Sequence, residues 1–350
     1  MNVVIRADAA NHIGTGHIMR CLTLAHSLAN NGATVEFICR EFEGNIIEEI
    51  ISQGFNTHRL PRLECSNFEL DLGDNPPHAN WLGTSWQNDA YQSLSACVRA
   101  SYDWLVIDHY AIESQWQQEM RTLFKHILVI DDLADRRHEC DILLDQNVAI
   151  SSDHNYEALV PDTARTLLGP EYCLLRSEFH QQYPELQSKE IQRVLVFFGG
   201  IDRHGYTFQV LKALVEYDDI HITIVTGSNN FQNVEIEQLC KEKSHTYLSN
   251  ISNMAEVMAS QDYAVIASGF VCYEVASMQI PSLLVPLSDI QNRVARKLAS
   301  MGIGSVLLPS ELNAATIRYK LEGLKNIKKD TFKAFCVDGT INVVNSMFET

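Results

Sequence analysis

The chain has 350 residues, of which 46% are hydrophobic and 20% are charged, a composition typical of a soluble globular protein with room for two domains. Its formal net charge of -17 argues against nucleic acid and anionic membranes as partners, because both would repel an acidic surface. The cysteines form no Cys-x-x-Cys pair, so we expect reduced thiols and no zinc site. No leader or integral membrane segment is visible, which predicts a cytoplasmic protein.

The first half alternates short apolar strands with helical patterns, which is typical of a parallel sheet covered by helices on both faces. The patterns predict strands at 2–6, 34–39, 104–108, 126–130, 142–144 and 166–169, and helices at 17–31, 44–53, 87–101 and 113–123. Polar runs at 108–110 and 131–132 follow two of these strands. They stand at carboxyl ends, where open α/β sheets bind ligands.

A polar stretch that runs through Lys189 predicts a crossing into a second domain. Alternation then resumes, with predicted strands at 194–198, 221–225, 246–248, 263–267, 282–285 and 305–307, and helices at 206–216, 230–242, 252–260, 270–278, 290–301 and 311–324. We therefore expect an α/β protein of two Rossmann-like domains facing a cleft, 1–180 and 181–350. The last helical pattern, 328–348, could pack back on the first domain.

The most informative feature is a histidine in the first turn of a predicted helix. A strand runs into a polar loop that ends in Gly14, Gly16 and His17. Glycines allow close approach of a ligand, and the start of a helix favours anions such as phosphate. His17 could move a proton near neutral pH or could only cap the helix. The last glycine of a dinucleotide fingerprint is replaced by Met19, so we expect no nicotinamide cofactor.

Two strand exits in the second half resemble phosphate-binding loops. Gly199 and Gly200 directly follow one strand and allow close backbone approach to a diphosphate. Asp202 could orient a nearby group or cap the next helix. Ser268 and the N–H groups that follow it could hold phosphate oxygens. Glu274 could accept hydrogen bonds from two ribose hydroxyls or could be a solvated helix residue.

Three further motifs have a less specific chemistry. The 108–110 run (Asp-His-Tyr) suits positioning at the cleft, because no serine or cysteine occupies a nucleophile elbow. The adjacent carboxylates of Asp131 and Asp132 should point in opposite directions, so we expect no metal site and no other cofactor. Gln291 could reach sugar hydroxyls or serve the start of a helix.

Taken in order, a series of short segments resembles the PseG family, the UDP-sugar hydrolases of pseudaminic acid biosynthesis. These segments are residues 6–8, 14–20, 81–83, 89–90, 108–111, 130–136, 143–147, 168–170 and 198–200. The family has the GT-B architecture and is similar to the glycosyltransferase that builds lipid II. The resemblance implies that water cleaves UDP-2,4-diacetamido-2,4,6-trideoxy-β-L-altropyranose to UDP and free sugar, with inversion and without a metal.

The resemblance also implies roles for individual residues. His17 matches the general base of the family, and Arg176 and Glu274 match substrate-binding residues. The residues expected to bind substrate are Arg6, Asp8, Gly14, Gly16, Arg20, Asp108, Tyr110, Arg176 and Gln291. Those expected to bind UDP are Gly199, Gly200, Ser268, Gly269, Phe270, Val271 and Glu274.

Two other functions fit the same motifs. A GT-B glycosyltransferase would pass the sugar of a nucleotide-sugar donor to an acceptor other than water. A non-catalytic sensor would bind the nucleotide-sugar, with His17 serving only as a helix cap. Dependence of UDP release on an acceptor distinguishes the first from a hydrolase, and binding without turnover identifies the second.

Overall fold

The computed structural model describes residues 1–62, 78–148, 156–181, 191–200, 202–335 and 338–350. The chain forms two compact units, one of Met1–Leu174 with Gly339–Thr350 and the other of Leu175–Asp338. Of the crossing predicted at 170–190, residues 182–190 lie outside the described residues. In the described part of the chain no helix combines the length and apolar character needed to cross a membrane. Six cysteines of that part are free thiols: Cys21, Cys39, Cys97, Cys140, Cys240 and Cys272.

The first unit is built on a parallel sheet whose seven described strands run in the order β3-β2-β1-β4-β5-β6-β7. The strands are β1 (Asn2–Ala7), β2 (Thr34–Arg40), β3 (Asn56–Leu60), β4 (Tyr102–Asp108), β5 (Phe124–Ile130), β6 (Ile142–Asp145) and β7 (Arg165–Leu168). Because β1 pairs with β2 on one side and β4 on the other, the strand order reverses beside β1. A ligand crevice is expected outside the carboxyl ends of the strands at such a reversal.

Helices cover the sheet of the first unit. Those that precede the second unit are α1 (Gly16–Asn30), α2 (Ile47–Ser52), α3 (Trp86–Ala96) and α4 (Ser114–Met120). Helix α1 buries Ile18, Cys21, Leu22, Ala25 and Leu28. This spacing of three or four residues forms one apolar face, which packs on the core of the sheet. The first turn of α1 is thereby fixed at the carboxyl end of β1.

The second unit repeats this architecture with six described parallel strands in the order β10-β9-β8-β11-β12-β13. They are β8 (Gln192–Phe197), β9 (Ile220–Thr226), β10 (Thr246–Ser249), β11 (Tyr263–Ala267), β12 (Ser282–Val285) and β13 (Gly304–Val306). The helices are α5 (Tyr206–Leu214), α6 (Asn233–Glu242), α7 (Met254–Ala259), α8 (Val271–Ser277), α9 (Asp289–Ser300) and α10 (Ala314–Leu324). Here the order reverses at β8, which pairs with both β9 and β11.

The chain returns to the first unit after the second is complete. Helix α11 (Gly339–Glu349) places Val343, Val344 and Met347 in the core that α1 covers. Its first residue, Gly339, is so close to the backbone of Cys173 that an added Cβ would lie 2.4 Å from the Cys173 nitrogen. The first unit therefore consists of two separated stretches of sequence.

Three elements differ from the sequence prediction. Strand β3 was not predicted, because only its last residue, Leu60, is buried and it lacks apolar alternation. The helix predicted at 87–101 ends at Ala96, since the backbone becomes extended at Cys97 before it enters β4. In the predicted helix at 328–348, the structure has a 3-10 helix, Lys329–Phe335, followed by the separate α11.

Candidate active site

His17 lies in the first turn of α1, and its ring is bound to the carboxylate that ends β4. Nδ1 of His17 is 2.6 Å from Oδ1 of Asp108, and the two residues are 8% and 0% exposed. Burial opposes ionisation of Asp108, but Arg20 and His17 outweigh it and hold the pKa of Asp108 well below its usual range. An ionised carboxylate can only accept, so Nδ1 carries the hydrogen and the lone pair of the neutral ring is on Nε2.

Arg20, one turn further along α1, binds the same carboxylate as His17. Its Nε is 2.6 Å from Oδ2 of Asp108, and its Nη2 is 2.7 Å from Oδ1. Its Nη1 also reaches Oδ2 of Asp132 at 3.3 Å. The hydroxyl of Tyr110 donates to Oδ1 of Asp132 at 2.5 Å. The expected substrate residues Arg20, Asp108 and Tyr110 are thus brought together around His17, and the structure gives each of them a protein partner.

Aromatic rings line the same side of His17. The ring centroids of His17 and Tyr110 are 4.7 Å apart, with the planes at 86°. Trp81, on the 3-10 helix Ala79–Leu82, lies 5.5 Å from Tyr110 and 4.7 Å from His78 between ring centroids. The side chains of Trp81 and Tyr110 are only partly buried, so an apolar surface borders the base. Sequence reasoning missed this surface: Trp81 stood only in a resemblance segment, and nothing marked His78.

Gly14 and Gly16 leave the loop before α1 open. Gly14 adopts a φ of 85°, in the region that favours glycine, and forms a β-bridge with Ala10. A Cβ added to either glycine would meet no heavy atom within 4 Å. Both glycines are exposed beside buried His17. The loop therefore offers space and backbone N–H groups next to the imidazole.

Arg6 and Asp8, also expected to bind substrate, belong instead to a buried charge cluster. Arg6 bonds Asp8 at 2.7 Å and Asp89 at 2.8 Å, and all three side chains are 0% exposed. Asp89 also accepts from Arg40 at 2.7 Å and from Trp116 at 3.0 Å. No ligand can touch Arg6 or Asp8 in this arrangement. These contacts instead tie β1, β2, α3 and α4 together behind the site, and sequence reasoning missed Asp89 as the common partner of Arg6 and Arg40.

The acidic residues after β5 and β6 have separate surroundings. Asp131 is bound to Arg136 at 2.7 Å and accepts from the Tyr156 hydroxyl at 3.0 Å, whereas Asp132 faces Arg20. The two carboxylates thus point in different directions. Asp145 lies close to Tyr156, and burial raises its pKa to about 7. Across the described ranges, no three His, Cys, Asp or Glu residues are grouped so that they could hold a metal ion.

In the second unit, Gly199, Gly200, Ser268 and Gly269 follow β8 and β11, which are neighbours in the sheet. They lie at the reversal of strand order, where a ligand crevice is expected. Ser268 is 2% exposed, and its Oγ has no hydrogen-bond partner among the described residues. Gly200 approaches Gly227 so closely that a Cβ on Gly227 would lie 2.6 Å from the Gly200 carbonyl oxygen. The carboxyl edge of this sheet, formed by the loops after β8 and β11, therefore combines backbone groups with the Ser268 hydroxyl, which has no described partner.

The remaining predicted residues of this unit surround the same loops. Phe270 is 37% exposed, whereas Val271 is 8% exposed. Glu274 is bound to Arg176 at 3.4 Å, and burial raises the pKa of Glu274 although Arg176 opposes the rise. The amide nitrogen Nε2 of Gln291 lies 3.9 Å from the place where a Cβ on Gly269 would stand, and its Oε1 accepts from the Leu287 N–H.

The sequence left open whether Asp202 and His17 serve only as helix caps. Asp202 caps α5, accepting from the N–H groups of Tyr206 at 3.2 Å and Thr207 at 2.7 Å. Its φ of 42° is a strained conformation for a residue other than glycine. The His17 ring, in contrast, bonds Asp108 and not the backbone of α1. Capping therefore explains Asp202 and does not explain His17.

Sequence comparisons connect this chain to sugar-processing proteins. Residues 194–334 match the glycosyltransferase family 28 C-terminal domain. The chain is 27% identical to UDP-2,4-diacetamido-2,4,6-trideoxy-beta-L-altropyranose hydrolase of Campylobacter jejuni, over 86% of this chain and 97% of that protein. It is 26% identical to an uncharacterized protein of Methanocaldococcus jannaschii, over 83% of this chain and 57% of that protein. The chain thus spans little more than half the length of the archaeal relative.

Structural comparison supports the fold. MurG of Acinetobacter baumannii has a TM-score of 0.67 at 12% identity, with 100% of this chain and 99% of that chain covered. The kitacinnamycin glycotransferase has the same TM-score and identity, with 99% and 98% covered. The predicted class of two Rossmann-like α/β units of the GT-B type is confirmed. The resemblance to the UDP-sugar hydrolases of pseudaminic acid biosynthesis is likewise confirmed, and the match to the family 28 model lies within the second unit.

Proposed function

We propose that this protein is an enzyme that hydrolyses a UDP-linked 2,4-diacetamido-2,4,6-trideoxy sugar to UDP and the free sugar. The observation that carries the proposal is the buried pair of His17 and Asp108, 2.6 Å apart, in a chain similar to a hydrolase of that substrate. A neutral imidazole with its Nδ1 hydrogen bound and its Nε2 lone pair free is suited to general-base catalysis.

The proposed reaction is an attack of water on the anomeric carbon. Nε2 of His17 takes a proton from the water as its oxygen forms the new bond to carbon. The bond between the anomeric carbon and the diphosphate oxygen breaks, and its electron pair leaves with UDP, which inverts the anomeric centre. Asp108 stabilises the imidazolium that forms, since it already accepts the Nδ1 hydrogen. UDP is a good leaving group, so the proposed reaction requires neither a protein acid nor a metal.

The second unit would bind the nucleotide in this reaction. Gly199, Gly200 and Gly269 would present backbone groups to the diphosphate, and Ser268 would donate its unpartnered hydroxyl. Phe270 and Val271 would border the same ligand. Glu274 would accept hydrogen bonds from the ribose hydroxyls in place of its contact with Arg176. Apart from that of Glu274, these roles suit loops whose hydrogen-bonding capacity is not fully used, because the ligand then replaces water rather than a protein partner.

Substrate contacts in the first unit would come from the open loop and the aromatic surface. Gly14 and Gly16 would allow close approach to the backbone. Trp81 and Tyr110 would pack against the apolar groups of a deoxy sugar with acetamido substituents. Arg20 and Asp108 would act through His17 rather than through the sugar, because their charged atoms already bind each other.

The direct test is hydrolysis of the UDP-sugar followed by NMR of the anomeric proton. We expect UDP release and inversion with the unaltered protein, and a loss of kcat of about 10²- to 10⁴-fold in His17→Ala, the usual contribution of a general base. His26→Ala is the matched control, because His26 is an exposed residue of the same helix whose ring contacts Gln53 and Phe55 and not Asp108. Absence of UDP release, or equal rates in the two variants, would contradict the proposal.

A glycosyltransferase is the second candidate, because the family 28 match and the structural neighbours are glycosyltransferases. It would use the same nucleotide site and base, with an acceptor hydroxyl in place of water. Hydrolysis at full rate without an acceptor supports the first candidate. Release of UDP that depends on an added acceptor supports the second, and binding of the UDP-sugar by calorimetry without turnover contradicts both.

A further inference from the structure

Asp132 does not touch His17, yet it is joined to His17 by a continuous chain of polar contacts. Asp132 Oδ2 accepts from Arg20 Nη1 at 3.3 Å, and Arg20 holds both oxygens of Asp108. We propose that Asp132 is a positioning residue that, through Arg20, sets how strongly Asp108 holds the proton-bearing His17 ring. The inference rests on the proposed function only in so far as His17 acts as a base.

Arg20 pairs with two carboxylates at once, those of Asp108 and Asp132. Its guanidinium is only 10% exposed and lies between two carboxylates, of which Asp108 is 0% and Asp132 17% exposed. The charge of Arg20 weakens the attraction between Asp108 and an imidazolium at His17. Asp132 offsets part of that charge and so restores the attraction. In a poorly solvated cluster such pairs are screened weakly, so the offset extends to the next group in the chain.

Tyr110 holds the far end of the chain in place. Its hydroxyl donates to Asp132 at 2.5 Å, while its ring packs edge-to-face on His17. Burial and the charge of Asp132 raise the pKa of Tyr110, so the hydroxyl stays a donor over the working pH range. One residue therefore fixes both the position of Asp132 and the plane of the imidazole.

The titratable groups around His17 come from several elements. Helix α1 contributes Arg20 and Cys21, whose thiol points to Asp108 at 3.6 Å. Strand β4 and its exit contribute Asp108 and Tyr110, and the exit of β5 contributes Asp132. Among the described residues the His17 ring also contacts Trp81, at 6.3 Å between ring centroids, and the imidazole of His78 packs on Trp81 and Tyr110. Burial raises the pKa of Cys21, so its thiol adds no charge.

Removing the charge of Asp132 and removing the charge of Arg20 should shift the titration of His17 in opposite directions. Asp132→Asn removes a negative charge and leaves Arg20 to Asp108 alone, so the imidazolium is less stabilised. The acid-side midpoint of kcat/KM should then move to lower pH, by about half a unit. Arg20→Gln removes the cation, frees Asp108 for His17, and should move the same midpoint to higher pH.

Two measurements test the inference. The first is the pH profile of kcat/KM for the unaltered protein and both variants. The second is the NMR titration of the His17 ring in the ligand-free protein, with its signal assigned by its absence in His17→Gln. Asp135→Asn is the matched control, because it removes the same charge from the same loop at a carboxylate that bonds Arg136 instead of Arg20.

Opposite shifts of the His17 titration in Asp132→Asn and Arg20→Gln, with none in Asp135→Asn, support the inference. A fall in activity without a shift in either midpoint means that Asp132 only maintains structure, and shifts of the same sign in both variants also overturn it. If Arg20→Gln does not fold, Asp132→Asn against Asp135→Asn decides alone. The NMR titration needs no turnover, so failure of the hydrolase proposal would be seen separately, in the assay.

Discussion

The two units carry different kinds of residues at the carboxyl edges of their sheets. In the first unit, charged side chains are buried and bind one another, as Arg20 binds Asp108 and Arg6 binds Asp89. In the second, glycines dominate the loops after β8 and β11, and the hydroxyl of Ser268 has no described partner. The proposed base needs a fixed orientation, which suits the first edge, and the proposed diphosphate needs free donors, which suits the second.

The largest expected effect is a loss of stability when a charge is removed from the buried cluster behind His17. Asp89→Asn leaves Arg6 and Arg40 with too little negative charge, and we expect a loss of about 3–5 kcal/mol of unfolding free energy. Burial opposes ionisation of Asp89, but Arg6 outweighs it and holds its pKa below the usual range. Ionised Asp89 therefore stabilises the folded state at neutral pH, and that stabilisation is lost as the pH falls.

Denaturant unfolding at several pH values measures this effect. The difference between Asp89→Asn and the unaltered protein should be greatest near neutral pH and should shrink below about pH 4. Asp162→Asn, at an exposed position of the same unit, should change stability little. Equal, small losses in both variants would show that the first edge does not depend on its buried charges.

The second edge can be tested by filling the space between its loops. A Cβ on Gly227 would lie 2.6 Å from the Gly200 carbonyl oxygen, so Gly227→Ala must displace the loop after β8. We expect UDP to bind about tenfold more weakly by calorimetry, since a shift of this size costs on the order of 1–3 kcal/mol.

Gly323→Ala is the matched control for that substitution. Gly323 lies in α10, and a Cβ there would meet no heavy atom within 4 Å. The variant should leave UDP affinity unchanged and stabilise the protein by about 0.5–1 kcal/mol, because alanine is the better helix former. Unchanged UDP affinity in Gly227→Ala as well would place the nucleotide elsewhere.

The smallest expected effect on UDP affinity is that of removing the Ser268 hydroxyl. Ser268→Ala should weaken UDP binding about threefold to tenfold, the usual value of one hydrogen bond. Because Ser268 Oγ has no described partner in the free protein, the melting temperature without ligand should not fall. A lower melting temperature with unchanged affinity would show that the hydroxyl serves the fold and would remove the difference between the two edges.

Local patterns predicted the features that depend on local sequence. The apolar run of β1 and the glycine loop before His17 identified a Rossmann-like start and a histidine in a first helical turn. Strand β3 was missed because an edge strand with one buried residue shows no alternation. Apolar alternation reports burial of a strand, so it cannot report a strand that is mostly exposed.

The partners of charged residues could not be predicted from local patterns. Arg6 and Asp8 were expected at the ligand because their segment resembles the PseG family. Asp89, the common partner of Arg6 and Arg40, stands 83 residues from Arg6 and meets it only through the tertiary fold. The contact of Arg20 with Asp132, 112 residues apart, has the same origin. Sequence reasoning therefore named His17, Arg20 and Asp108 and missed that they bind one another.

The return of α11 to the first unit has a consequence for synthesis on the ribosome. Val343, Val344 and Met347 belong to the core under α1, yet they follow the whole second unit in the chain. The second unit can therefore fold while the first still exposes the apolar patch that α11 will cover. Until that helix emerges, the nascent first unit lacks part of its core, and exposed apolar surface of this kind favours aggregation. The unit whose translation begins first is therefore the last to be completed.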